Sequence, residues 1–226
     1  YLTMKFKEKK TSLLCSNAKK VLVINPKGGS GKSTLSAGLT SKIIEKGCKV
    51  ELIDLDAQKT IYNWGTYTNH SYCQSYNLSH RTLSNISSTL KVSSEADFVI
   101  FDSPSNFSDR DLLRYSYLAD YLIVPISLSP IDLSSTLSFV KSLCDSKILV
   151  RKKIALAFVI NRHTVNASKP VHIEHMFDDF RHYPIIGKMS ELDIYQEAFY
   201  NKSLLSHDYD VALWEGFFSW CGFQAS

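Results

Sequence analysis

Short apolar runs rich in β-branched and aromatic residues recur along this chain. Val21–Ile24, Val50–Ile53, Phe98–Phe101, Tyr121–Pro125 and Ile154–Ile160 each predict a strand. Between them, apolar positions three and four residues apart predict helices over Lys32–Lys46, Asp109–Leu118 and Ile131–Leu143. Gly47 suits the position just past the end of the first helix. Ile173–Phe180, Glu191–Phe199 and Asp210–Phe223 also read as helices, and polar Thr60–Leu90 reads as helical pieces joined by loops. Continuous apolar strands alternating with helices imply an α/β fold, a mostly parallel sheet with helices on both faces. Ligands of such folds gather at the carboxyl ends of the strands.

Composition narrows this reading without changing it. The 226 residues are 44% hydrophobic and 21% charged, an ordinary globular balance that excludes disordered and collagen-like classes. No Pro-, Gly- or Ser-rich linker divides the chain, so one domain is expected. Five widely spaced cysteines without a CxxC pair argue against a disulfide framework and for a reducing, cytoplasmic compartment. No apolar run approaches the roughly 20 residues of a membrane span, and the lysine-rich start lacks the apolar stretch of a secretory signal. The net charge of +4 is uneven: residues 1–20 carry six lysines against Glu8 alone, and the rest is nearly neutral. Residues 1–20 therefore read as a basic arm and 21–226 as the domain.

Asn25-Pro26-Lys27-Gly28-Gly29-Ser30-Gly31-Lys32-Ser33-Thr34 follows a predicted strand and opens a predicted helix. Glycines let backbone N–H groups converge on phosphate oxygens, and the helix N-terminus favours an anion. Lys32 can reach β- and γ-phosphates, and the Ser33 hydroxyl can ligate Mg²⁺. The strict pattern needs glycine at position 26, where this chain has Pro26; it has instead a second lysine, Lys27. Asp54-Leu55-Asp56-Ala57-Gln58 places two carboxylates after the second strand, aimed differently by strand alternation. One can hold a Mg²⁺-bound water and the other can orient an attacking water. Asp102 ends the apolar strand Phe98–Phe101 and is followed by Ser103-Pro104-Ser105, a further carboxylate placed for the metal.

Lys27-Gly28-Gly29-Ser30-Gly31-Lys32-Ser33-Thr34 resembles the deviant Walker A motif of the ParA/MinD superfamily of Rossmann-like P-loop NTPases. Asp54-Leu55-Asp56-Ala57-Gln58 is similar to that family's D-x-D-P-Q, with Ala57 in place of the proline. Asp102-Ser103-Pro104-Ser105 resembles its second switch, and Leu118–Leu133 a segment near its dimer face. The resemblance implies that Lys27 acts in trans across an ATP-sandwich homodimer and that Gly28 to Thr34 cradle the phosphates. It implies that Asp54 and Asp102, with Ser33, lie at the metal, and that Asp56 serves hydrolysis. Asn161-Arg162 resembles the family's adenine-reading pair. The implied cofactors are ATP and Mg²⁺.

By the same resemblance, closest to short ParA partition ATPases, the expected function is non-specific DNA binding and plasmid or chromosome partition. A centromere-binding, ParB-like adaptor would stimulate hydrolysis, and the ATP-bound form would lie on the nucleoid. Some relatives carry an N-terminal helix-turn-helix domain, for which twenty residues are too few. Arg151-Lys152-Lys153 is the densest basic cluster outside the arm, and Lys188 stands nearest to where family members carry an arginine. The alternatives are a MinD-like ATPase placing a protein cargo on a membrane and a VirC-type T-DNA transfer ATPase. Against a membrane, the aromatic C-terminal segment carries Asp208, Asp210 and Glu215, with no Lys or Arg after Lys202.

Overall fold

The computed structural model describes residues 9–68, 72–77, 86, 89–127, 129–163, 177–205 and 209–223, with backbone alone at 162 and 163. The strands are β1 (Lys10–Ser12), β2 (Lys19–Val23), β3 (Val50–Asp54), β4 (Tyr72–Ser75), β5 (Lys91–Ser93), β6 (Phe98–Asp102), β7 (Tyr121–Ile126), β8 (Ala155–His163) and β9 (Ile185–Ser190). Seven of them form one sheet in the order β4-β3-β6-β2-β7-β8-β9, parallel throughout, while β1 and β5 make a small antiparallel pair. The helices, numbered along the chain, are α1 (Lys32–Glu45), α2 (Thr60–Thr68), α3 (Asp109–Tyr117), α4 (Pro130–Asp145), α5 (Ile148–Lys152), α6 (Asp193–Asn201) and α7 (Val211–Trp220).

Strand alternation explains why the central runs are apolar throughout. In β2 Leu22 faces one core and Val21 and Val23 the other; in β6 Val99 and Phe101 oppose Phe98 and Ile100. One core packs against α3, α4 and α5, the other against α1, α2, α6 and α7. Helix α1 is buried from Leu35 to Ile43, packed against the sheet, α2, α6 and Trp214 of α7. Its C-cap is Lys46, and Gly47 follows at φ +77°. Ser108 caps α3, its hydroxyl accepting from Asp111 N at 3.2 Å. Helix α7 lies directly on β9 because two glycines face each other's elements. A Cβ at 187 would overlap Leu213, and one at 216 would overlap the Ile186 carbonyl.

The structure departs from the sequence expectations at the margins. The segment read as helical pieces, Thr60–Leu90, contributes α2 and then β4, an edge strand whose Tyr-Cys-Gln-Ser has no apolar alternation. Strand β9 departs from the expectations, its apolar sequence pattern being broken by Gly187. Of the arm, residues 9–20 are described and pack onto the domain: Lys10–Ser12 pairs with Lys91–Ser93, Leu13 is buried, and Lys19 and Lys20 open β2. Of the helix expected over 173–180, only 177–180 are described, with a 3₁₀ turn at Asp178–Phe180. The aromatic segment is α7, and its Trp214, Phe217 and Phe218 pack into the core. No helix among the described residues is long and apolar enough to cross a membrane.

The arrangement positions a site. Strand β2 is flanked by β6 and β7, and the chain leaves it first towards β3 on one side and later builds β7 to β9 on the other. That reversal opens a crevice at the carboxyl edge, where ligands of open α/β sheets bind.

Candidate functional site

The glycine-rich loop is strung between β2 and α1 and anchored by Asn25. This buried amide donates to the Pro125 carbonyl at 2.9 Å and to Thr136 Oγ1 at 3.1 Å, while its oxygen accepts from Lys27 N at 2.9 Å. Gly31 sits at φ +87°, left-handed backbone that glycine adopts without strain, and a side chain there would overlap Asn161. Asn161 is buried and its Nδ2 donates to the Ser30 carbonyl at 2.8 Å. The candidate adenine reader thus buttresses the loop. The side chain of Arg162 lies outside the described residues.

Lys32 is buried, and its ammonium donates to Ser105 Oγ at 2.9 Å and to the Lys27 carbonyl at 3.1 Å. Burial lowers its pKa, and Asp102 and Asp56 oppose that shift. Asp102 is fully buried between two hydroxyls one turn apart on α1. Ser33 Oγ donates to one carboxylate oxygen at 2.7 Å and Ser36 Oγ to the other at 2.9 Å. Burial pushes the Asp102 carboxyl up to about 7, with the two serines and Lys32 working against it.

Asp54 stands beside Asp102 in register across β3 and β6. Its carboxylate accepts from Asp56 N at 2.8 Å and Tyr62 N at 3.0 Å, shaping the turn into α2, and burial raises its pKa. Asp56 emerges from that turn half-exposed, accepting from Gln58 N at 3.0 Å. Lys27 is partly exposed and forms an ion pair with Asp132 at the start of α4. The loop after Asp102 closes over the glycines, with Asn106 N donating to the Pro26 carbonyl at 2.8 Å.

Two observations fit this cradle to a phosphate ligand. Ser30 Oγ and Ser103 Oγ are buried with no hydrogen-bond partner among the described residues. The start of α1 and the Lys32 ammonium, held to the Lys27 carbonyl, lie together at this loop, where a helix N-terminus and a cation favour an anion. Ser33 and Asp102, with Asp54 adjacent, are a hard-oxygen set that fits Mg²⁺.

The structure therefore gathers Lys27 to Thr34, Asp54, Asp56, Asp102 and Asn161 at one edge. It does not gather the DNA candidates. Arg151, Lys152 and Lys153 lie before the amino end of β8, whereas Lys188 is level with Ile160. Sequence reasoning gave no role in the site to Asn25, Ser36 or Ser105. Only Ser36 left a signal, one helical turn beyond Ser33.

Fold and site together define a P-loop nucleotide-binding protein. The chain belongs to the CobQ/CobB/MinD/ParA nucleotide binding domain family, which it matches over residues 21–205. It is 24% identical over 141 residues to the maintenance of carboxysome distribution protein A of Halothiobacillus neapolitanus (strain ATCC 23641 / c2), a match covering 62% of this chain and 64% of that protein. The chain thus spans under two thirds of that relative's length. Its fold superposes on a Cyanothece McdA variant in complex with ATP, with TM-score 0.67 and 18% identity, covering 92% of this chain and 98% of that one. It also superposes on a protein of Borrelia burgdorferi B31 described as a plasmid partition protein bound to AMPPNP, with TM-score 0.62 and 21% identity, over 90% and 99%.

Proposed function

We propose that this chain is a Mg²⁺-dependent, ParA-like ATPase that dimerises around ATP, binds duplex DNA without sequence preference and positions a cargo. Lys32 and the amides of Gly28 to Thr34 would hold the phosphates, and Ser33 and Asp102, with Asp54 beside them, would hold the magnesium. The metal supplies charge neutralisation as negative charge shifts between phosphate oxygens. Asp56, half-exposed at the mouth, orients the attacking water. The observation that carries the reading is Lys27: its partly exposed ammonium pairs with Asp132, while Lys32 is buried within the loop. A second cation so placed suits the phosphates of a facing copy, the arrangement of an arginine finger in trans.

The cargo is a plasmid or chromosome held through a centromere-binding, ParB-like adaptor. The carboxysome-distribution relative extends the cargo class to a protein body. DNA is favoured over a membrane because Trp214, Phe217 and Phe218 of α7 are buried in the core. On this reading the protein is cytoplasmic, and its ATP-bound form lies on the nucleoid.

The test uses the Asp56→Ala protein. With ATP, sedimentation should show a dimer, turnover should be slow, and random duplex DNA should be retained. Contact with some four to six phosphates gives a log–log salt slope of about −4 to −5. A monomer in saturating ATP sinks the sandwich, and no DNA retention in either nucleotide state sinks the DNA reading.

A further inference from the structure

We propose that the turn from Lys147 to Lys153 is a duplex-DNA contact on the side of the sheet away from the nucleotide loop, complete in a single copy and available without nucleotide. The proposal rests on the DNA-binding reading above and gives it a location.

Lys147, Arg151, Lys152 and Lys153 are all exposed, fall within seven residues, and have no carboxylate among them. Several acids near them already have a cation of their own. Asp145 pairs with Lys141 at 3.2 Å, Asp120 with Lys20 at 3.5 Å, and Asp111, on the α3 that packs against α5, with Arg114 at 3.2 Å. An ordinary surface intersperses both signs; this one gathers four positive charges that form no ion pair among the described residues, a local field that attracts a polyanion.

The charges also stand on fixed backbone. Leu149 is buried, Arg151 N donates to the Lys147 carbonyl at 3.0 Å, and Ile154 N donates to the Leu149 carbonyl at 2.8 Å. The Lys152 ammonium lies 3.8 Å from the centroid of the Tyr117 ring. A phosphodiester backbone fits this surface better than a bilayer does. An interfacial segment needs a broad apolar face, and here Val150 alone is an exposed apolar side chain, Ile148 being half-buried.

Position gives the proposal its consequence. Asn161, against the phosphate loop, is six residues along β8 from Ala155, about 20 Å at roughly 3.3 Å per residue. DNA on the turn therefore does not occupy the face through which Lys27 would meet a second copy. A dimer closed across that face carries two turns, so ATP raises affinity through avidity and adds no new contact.

The experiment measures anisotropy of a short labelled random duplex across a salt series, in ADP and in ATP. It compares the wild type with Arg151→Gln/Lys152→Gln and with Lys147→Gly/Lys153→Gly. Lys147 and Lys153 lie at φ +59° and +54°, so glycine removes the charge and keeps the backbone at ease. Each lost phosphate contact should flatten the slope by about 0.9, so each double variant should flatten it by about 1.8, in both nucleotide states. Sedimentation of the same samples with ATP reports the nucleotide site separately. If the wild type binds DNA and both variants keep its slope, the turn is not the contact, though the DNA reading stands. If the wild type binds no duplex in either state, both fall. Binding of the wild type to phosphatidylglycerol vesicles but not to duplex, lost in the variants, assigns the turn to lipid and overturns the proposal.

Discussion

The Asp102 carboxyl, raised to about 7 by burial, ties the nucleotide site to pH. In the unfolded chain an aspartate ionises near 3.9. Between about pH 4 and 7 the folded state therefore holds a proton that the unfolded state has released, and stability falls as pH rises, by about 1.4 kcal/mol per unit from this group. Asp102→Asn removes the term. Its denaturation midpoint should lie above that of the wild type at pH 8, with little difference near pH 4. Equal midpoints at both pH values would show that the carboxyl ionises normally in the fold. Magnesium favours the ionised form, so wild-type affinity for Mg·ATP should weaken below pH 7, towards tenfold per unit. At this scale the sequence was legible where one short segment carries the chemistry, as in Gly28 to Thr34. It was silent where partners come from distant segments. Ser105 meets Lys32 across 73 positions, and Asn25 reaches Thr136 across 111. Nothing local in either residue announces the bond.

Elements were legible in proportion to how much apolar surface they bury. β6 and β7, enclosed on both faces, write themselves as Phe-Val-Ile-Phe and Leu-Ile-Val; β4, at an edge and half-exposed, has no such pattern. β9 was missed because the residue that lets α7 approach it is a glycine, which weakens a strand pattern. That contact can be tested by itself. Gly216→Ala pushes a methyl into the Ile186 carbonyl and should cost about 1–3 kcal/mol by overpacking. Phe217→Ala, which empties a fully buried site beside Phe98, should cost about 3–5 kcal/mol. Urea titration measures both. If Gly216→Ala is neutral, the helix shifts freely over β9 and the close approach is not a constraint. Helix α4 has the opposite role, touching the site at two places through Thr136 to Asn25 and Asp132 to Lys27. It holds the start of the phosphate loop from the side, so a rotation of α4 would be felt by both lysines of the motif.

For the whole molecule, the question is whether one copy makes a complete site. Lys32 is buried within its own loop, whereas Lys27 is partly exposed and paired to Asp132 on α4. If both lysines served the same copy's nucleotide, removing either would weaken ATP binding by a single chain. If Lys27 serves a second copy, the two variants separate. Dilute protein keeps each variant monomeric, so the thermal midpoint then reports ATP binding in cis. A ligand at a hundred times its dissociation constant stabilises by about 2.7 kcal/mol. Lys27→Ala should retain that gain and Lys32→Ala should lose it. Raising the protein concentration should add a further, concentration-dependent rise in the wild type with ATP, because dimerisation binds only the folded state. Lys27→Ala should lack that second rise. Loss of the dilute-protein shift in Lys27→Ala would place Lys27 in its own copy's site. The facing dimer would then have to be held by other contacts, and the exposed Ile131 beside Asp132 is the first residue to test.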